Sequence, residues 1–441
     1  MNSFSQHFTY QKLLHFSLPP IVMMVFTSVY GVVDGLFLSN FVGKTAFAAV
    51  NFMIPYLMLF SGVGFMFGTG GSALIAKVLG ESRPRKANEI FSALYRISAV
   101  TGVCFFLLAQ LLMKPFAIAL GAEGQLLEDS LLYGRIYLLG LPMCILQFES
   151  ENFYAAAGKP KLGLIATVSS GCANIFLDAL FIIGFSWGLA GAAAATALSQ
   201  WIGGLISVCY FSRPNSSFLR LVPCKTDWKA IGRICTNGLS EVVNNVSINL
   251  VGMLYNVQLL RFAGNDGIAA YGILMYVNFM FTAIFWGYIV GVSPLISFQY
   301  GADNKTELHN LLKKSLTLIF SGSILMFLIS ELLAKPISAL FVGYDAGLME
   351  MTLRGFLMFS FNFIFAGFSI FSASFFTALN NGFLSALLSF LRTFFFQILF
   401  ILVLPVLWGV DGIWLALVGA ELCAAVTGAI ALIARQHKYQ Y

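Results

Sequence analysis

Phe41-Val42-Gly43-Lys44-Thr45-Ala46-Phe47-Ala48-Ala49 returns 221 residues later as Phe262-Ala263-Gly264-Asn265-Asp266-Gly267-Ile268-Ala269-Ala270, with the Phe, the Gly and the closing Ala pair in register. The same offset carries Gly80 onto Gly301, Leu111-Leu112 onto Leu332-Leu333, Lys114-Pro115 onto Lys335-Pro336 and Gly134 onto Gly355. Further on, Trp187-Gly188 and Gly191 fall on Trp408-Gly409 and Gly412. The chain is one unit used twice.

Composition says what that unit is. Of 441 residues, 59% are hydrophobic and 10% are charged, against about 25% charged in an ordinary soluble protein. Mean hydropathy is +0.85, with 45 Phe and 41 Gly. These values exclude a water-soluble enzyme, a disordered chain and a collagen-like repeat, and they predict a polytopic α-helical membrane protein. Twelve runs reach spanning length: roughly 12–38, 46–78, 88–113, 131–156, 161–186, 190–211, 229–260, 267–298, 308–333, 352–378, 383–405 and 411–434.

Six spans per copy is an even number, so both copies enter the membrane in the same direction, related by an axis along its normal. The expected fold class is an all-α integral membrane protein with twelve transmembrane helices in two six-helix lobes related by this parallel repeat. Residues 1–211 form the N-lobe, 212–228 a linker containing Arg213-Pro214-Asn215-Ser216-Ser217, and 229–441 the C-lobe. Two like halves around a cleft suit alternating access by rocking.

Net charge is +6, and topology explains it better than a nucleic-acid partner, so none is expected. Of the 25 Lys and Arg, six (Lys44, Lys114, Arg135, Arg261, Lys335, Arg354) fall on one side, Arg392 lies inside a span, and the other eighteen share the second side. The positive-inside rule then puts both termini and the linker in the cytoplasm, in a bacterial-type plasma (inner) membrane. No signal peptide is read before the first span. The seven Cys are scattered without a C-x-x-C pair, the four His lie near helix ends or tails, and no P-loop, H-E-x-x-H or G-x-S-x-G occurs, so no cofactor and no enzyme chemistry are expected.

Ionisable groups inside hydrocarbon cost about 2.5–3.5 kcal/mol each on insertion scales, so each needs a reason. Asp34, Glu149, Glu151, Asp178, Glu241, Arg392 and Glu421 are such groups. Six acids face one base, so most must be protonated, bind a cation or face water. Asn174 and Asp178 share a face of the fifth span; Asp34 and Thr196 add oxygens from the first and sixth. Such oxygens suit a small cation such as Na⁺, and a carboxyl pair suits a shared proton. Helix-to-helix hydrogen bonding is the plain alternative. The repeat weighs against it, since 34, 174, 178 and 196 map to Tyr255, Phe395, Leu399 and Leu417 and the second half manages without these ligands.

Gly171 maps to Arg392 and Gln200 to Glu421, which reads as a structural ion pair of the second half. On the seventh span Glu241, Asn245, Asn249, Gly252 and Asn256 recur at helical spacing and line a face expected to look into a cavity. With Tyr255 and, from the eighth span, Met275 and Met280, the set Glu241, Asn245 and Asn249 forms the candidate substrate site, suited to bulky lipophilic cations through charge, cation–π and dispersion. Glu151 is expected near the cytoplasmic end, solvated.

Val33-Asp34-Gly35-Leu36-Phe37 with Asn40-Phe41-Val42-Gly43, Gly68-Thr69-Gly70-Gly71-Ser72-Ala73 leading to Leu79-Gly80-Glu81, and Pro294-Leu295-Ile296 leading to Gln299-Tyr300-Gly301-Ala302 resemble the multidrug and toxic compound extrusion (MATE) family over essentially the whole chain. The resemblance implies two six-helix lobes around a V-shaped cleft and export of lipophilic or cationic small molecules driven by inward H⁺ or Na⁺, by a monomer in the bilayer. It implies that Asp34, Asn174, Asp178 and Thr196 form the N-lobe cation-coupling site, a metal site if Na⁺ is the ion, and that Glu241 is the seventh-helix acid. The tenth-helix Asp of some members has no counterpart; Asn362 is the nearest polar residue. A lipid-linked saccharide flippase of the same superfamily would share the fold but carry more cations in its cavity than Arg392, and a membrane-embedded enzyme would turn over without a gradient.

Overall fold

A computed structural model describes residues 4–441. Among them there is no strand, as a chain in hydrocarbon requires when its backbone groups must pair within one segment. The helices are α1 (Tyr10–Phe37), α2 (Lys44–Ser61), α3 (Val63–Gly80), α4 (Pro84–Ala119), α5 (Gly124–Leu138), α6 (Leu141–Ala156), α7 (Pro160–Asp178) and α8 (Gly188–Ser212) in the first half. The second half has α9 (Trp228–Gly301), α10 (Lys305–Val342), α11 (Ala346–Phe359), α12 (Asn362–Ala378), α13 (Gly382–Phe390), α14 (Phe396–Trp408) and α15 (Val410–Tyr439). Widened π turns at Leu38–Val42, Ala179–Gly184 and Leu391–Phe395 extend α1 and α7 and join α13 to α14.

Nine helical segments among the described residues are long and apolar enough to cross a membrane, and two bent pairs, α5 with α6 (60°) and α11 with α12 (46°), bring the number to eleven. The twelfth crossing is inside α9, whose 74 residues would reach about 110 Å as one rod, far beyond a bilayer. It breaks at Gly264, where φ is 64° and ψ −154°, leaving two arms. The second, fourth and tenth spans are thus not the single rods that hydropathy predicts. The second divides at Gly62, and the fourth and tenth begin earlier, at Gly124 and Ala346.

The repeat is written in the backbone. Gly43 and Gly264, Ser82 and Asp303, and Gly188 and Gly409, each 221 residues apart, all hold left-handed φ angles at the turns between spans. Leu111 and Leu332, another such pair, are 75% and 77% exposed on the outer surface, where lipid is the solvent. Between Gly134 and Gly188 the register shifts by one and then returns: α12 has 17 residues against 16 in α6, so Gly158 corresponds to Asn380, both with positive φ, and the stretch from Pro160 to Gly188 is one residue longer than that from Gly382 to Gly409, which restores the offset. The partners of Asn174 and Asp178 at the shifted register, Phe396 and Phe400, are as apolar as Phe395 and Leu399.

The halves meet along a pseudo-symmetric seam of small residues, the usual means of bringing membrane helices into backbone contact. A Cβ at Gly70 on α3 would strike the Ile234 carbonyl and lie 2.8 Å from the Gly238 nitrogen. The repeat-related contact is Gly291 against Ser17, with 2.9 Å to its Cα. Gly80 abuts Phe298 and Ala302, and its counterpart Gly301 abuts Lys77. All these contacts lie toward the end of the molecule that carries the eighteen basic residues. Toward the other end, the repeat mates Gly31 and Gly252 have no atom within 4 Å of a Cβ position. The halves are therefore closed together at the basic end and apart at the opposite one.

Two extended segments reinforce the closed end. The ring of Phe4 packs edge-on against Phe16, Phe218 and Phe298, and Glu307 of α10 receives the Phe8 N–H at 2.9 Å and pairs with His7 at 2.8 Å. Residues 213–227 are held on α4: Arg220 N–H donates to Asn88 Oδ1 and Val222 N–H to Ser92 Oγ, both at 2.8 Å.

Candidate functional site

Three helices of the first half carry Asp34, Asn174, Asp178 and Thr196 near the open end. Asp34 lies in the last turn of α1, Asn174 and Asp178 lie one turn apart on α7, and Thr196 lies on α8. The carboxyls of Asp34 and Asp178 face each other. Both Asp178 oxygens, Oδ1 of Asp34 and Nδ2 of Asn174 are buried without any other partner. Thr196 donates to the Ala192 carbonyl at 3.1 Å and faces the hydroxyl of Tyr133. No Lys or Arg is paired to either acid among the described residues. Two facing carboxyls with no counter-charge in hydrocarbon can hold a shared proton or a cation between them. The donor set fits Na⁺ as well, since two carboxylates, an amide carbonyl and a hydroxyl are hard oxygen ligands.

Sequence reading missed the phenols near this pair, Tyr30 and Tyr133. Tyr30 lies one turn before Asp34, and Tyr133 and Tyr137 lie one turn apart on α5, with Tyr137 facing both Cys144 and Gln200. The i, i+4 spacing of Tyr133 and Tyr137 was the available signal. Glu151 also differs from expectation. Glu151 is only 7% exposed and Glu149 fully buried. α6 packs against α3, α4, α7 and α8, so Glu149 faces Ser98 of α4 and Glu151 faces Thr167 of α7 rather than water.

In the second half Arg392 and Glu421 form the expected ion pair. Nη2 of Arg392 is 2.8 Å from Oε1 of Glu421, and Nε donates to Oε2 at 3.1 Å. Ser369 of α12 closes the group by donating to Glu421 and accepting from Nε at 3.1 Å. Glu241, half-buried on the first arm of α9, is near enough to feel the Arg392 charge and lies one turn before Asn244. The Nδ2 groups of Asn245 and Asn249 donate back to the carbonyls of Glu241 and Asn245, at 2.9 and 2.8 Å. Asn245 is also the residue closest to Gly62 across the seam. Tyr255 is 2% exposed and stacks on Tyr271 with ring centres 5.1 Å apart. Met275 is half-buried and Met280 is 38% exposed on the second arm of α9. Asn362 donates to the Phe359 carbonyl at 2.7 Å, within its own bend.

A twelve-crossing helical protein with two pseudo-symmetric halves, closed at one end and open at the other, has the architecture of an alternating-access membrane transporter. The family model described as MatE matches residues 19–180 and again 242–403, one copy per half, and the chain belongs to that family of multi-pass membrane transporters. It is 27% identical over 444 residues to the multidrug export protein MepA of Staphylococcus aureus strain N315, covering 97% of this chain and 94% of that protein. It is 28% identical over 377 residues to MepA of Staphylococcus haemolyticus, covering 82% of each. Among solved structures, an outward-facing multidrug resistance MATE family transporter of the MOP superfamily superposes with a TM-score of 0.94 at 19% identity, covering 100% of this chain and 98% of that one.

Proposed function

We propose that the chain is a secondary active multidrug efflux antiporter, exporting lipophilic, cationic small molecules against inward movement of H⁺ or Na⁺. The observation that carries this reading is the Asp34–Asp178 carboxyl pair, buried in one half only, without a cationic partner. A group that costs this much in hydrocarbon and is dispensable to the equivalent fold of the other half has its use in binding an ion. The proton is the first reading, because two facing carboxyls need one proton or one cation to coexist. Na⁺ is the second, favoured by the adjacent oxygens of Asn174 and Thr196.

The family resemblance and the name of the MepA relatives support export of several drugs rather than of one metabolite. Glu241, Asn245 and Asn249, with Met275 and Met280, offer substrate one acid, amide carbonyls and polarisable sulfur. The excess of basic residues at the closed end supports a cytoplasmic position for that end and both termini in a bacterial-type plasma membrane, with the opposite end opening outward. A flippase for phosphate-linked saccharides has less support, since Arg392, the cation inside a span, is already held by Glu421.

Purified protein in liposomes, loaded with a cationic dye and given a pH gradient or a Na⁺ gradient separately, tests the reading. Uphill dye movement with one gradient supports it. Movement with neither, for cationic and neutral dyes alike, contradicts it.

A further inference from the structure

Residues 4–8 precede α1 and belong by sequence to the first half, yet the second half holds them. Glu307, Asn310 and Lys314 lie at spacings of three and four on one face of α10. Glu307 accepts the Phe8 N–H at 2.9 Å and meets Nδ1 of His7 at 2.8 Å. The Phe8 carbonyl accepts from Nδ2 of Asn310 at 3.1 Å and from Nζ of Lys314 at 2.5 Å. The Phe4 carbonyl accepts from Nε2 of Gln299, at the end of α9, at 2.7 Å. Backbone groups that lie outside any helix are thus satisfied by side chains of the other half.

Apolar packing crosses the same boundary. Phe4 is fully buried, with its ring centre 5.8 Å from that of Phe16 on α1, 5.2 Å from Phe218 in the linker and 5.5 Å from Phe298 on α9. Phe298 is itself a seam residue, since its carbonyl abuts Gly80 of α3. Phe4 therefore fills the corner where the two halves and the linker meet at the basic end.

The repeat gives this placement a counterpart. α4 and α10 start at Pro84 and Lys305, 221 residues apart. The segment before α9 lies on α4, where the Arg220 and Val222 N–H groups donate to Asn88 and Ser92, and Nη2 of Arg96 donates to the Cys224 carbonyl at 2.8 Å. Each half thus has its leading segment clamped on the third span of the other. Residues 4–8 run straight into α1, so moving α1 away from α10 unzips them. Glu307, only 6% exposed, would then keep Asn310 at 2.7 Å and lose both Phe8 and His7.

We propose that residues 4–8 are a latch on the basic end, a strap that holds the halves together there and must unseat from α10 before substrate enters from that side. Phe4 and Glu307 are its two catches. The latch rests on the alternating-access reading of the chain, and its test is read separately from that reading.

In a chain with its seven cysteines replaced, Ile234→Cys reports on the seam, since Ile234 is fully buried and its carbonyl meets Gly70. Phe4→Ala and Glu307→Ala are each expected to raise its rate of reaction with a maleimide in detergent at least about tenfold, and Glu307→Gln, which keeps an acceptor for the Phe8 N–H, to raise it less than either. The opposite manipulation separates a latch from a general loosening of the fold. His7→Cys with Glu307→Cys, joined by a short reducible thiol cross-linker, is expected to export dye at least about tenfold more slowly in gradient-energised liposomes, with recovery when the link is reduced. Unchanged maleimide rates in both alanine variants, or full export with the strap cross-linked, overturns the latch alone. Wild-type dye movement with neither gradient overturns the transport reading beneath it.

Discussion

Arg392 and Glu421 meet at 2.8 Å between the π turn Leu391–Phe395 and α15, the helices whose first-half counterparts carry Asn174, Asp178 and Thr196. One half thus fills its interior with a neutralised pair, and the other with two acids facing each other. The side chains are 12% and 3% exposed, so neither charge is solvated once its partner is gone.

Removing one member leaves an uncompensated buried charge, at a cost of about 3–5 kcal/mol. Arg392→Leu and Glu421→Leu should each lower the Tm in detergent, and the double variant should lose clearly less than the two single losses together. Strictly additive losses in a thermal-shift series would mean that the pair contributes nothing as a pair.

The seam predicts a conformational effect. A valine at Gly70 would collide with the Ile234 carbonyl, which is backbone and cannot swing aside. Gly70→Val should shift the population away from the arrangement closed at the basic end. Ser17, fully buried on the related contact, is the reporter. In a chain with its seven cysteines replaced, Ser17→Cys should react with a maleimide at least about fivefold faster when Gly70→Val is present. An unchanged rate would mean that the seam accommodates the added methyls.

Glu241 tests the substrate surface. Glu241→Gln keeps the shape and removes the charge, so it should weaken binding of cationic dyes at least about fivefold more than that of neutral ones. Equal weakening of both in fluorescence-polarisation titrations would assign Glu241 to packing beside Arg392 and Asn244.

Most of the architecture was legible because turns need special backbone. Gly43 with Gly264 and Gly188 with Gly409 mark left-handed positions where glycine is free of strain, and they survive in both copies. Ser82 and Asp303 hold the same conformation with different side chains, so identity matching passed over them. The bends inside the fourth and tenth spans were hidden, since hydropathy registers apolar length and not direction. In the site, Asp34, Asn174, Asp178 and Thr196 were visible because charge and amides are rare in hydrocarbon. Tyr30, Tyr133 and Tyr137 were not, because phenols in a chain with 16 Tyr look like core until their neighbours are known. Glu151 was misread as solvated because its distance from the span end was counted along the chain, while α3, α4, α7 and α8 pack around α6 and bury it.

The most direct test concerns Asp34 and Asp178. Asp34→Asn and Asp178→Asn each keep the side-chain volume and remove the titratable oxygen pair, and the second half folds without either residue, so both variants should remain folded by size-exclusion and thermal shift. In liposomes energised by the gradient that drives wild type, dye export by either purified variant is predicted to fall to the level of protein-free vesicles. Export at the wild-type rate by a well-folded Asp178→Asn would contradict the assignment of ion coupling to this pair.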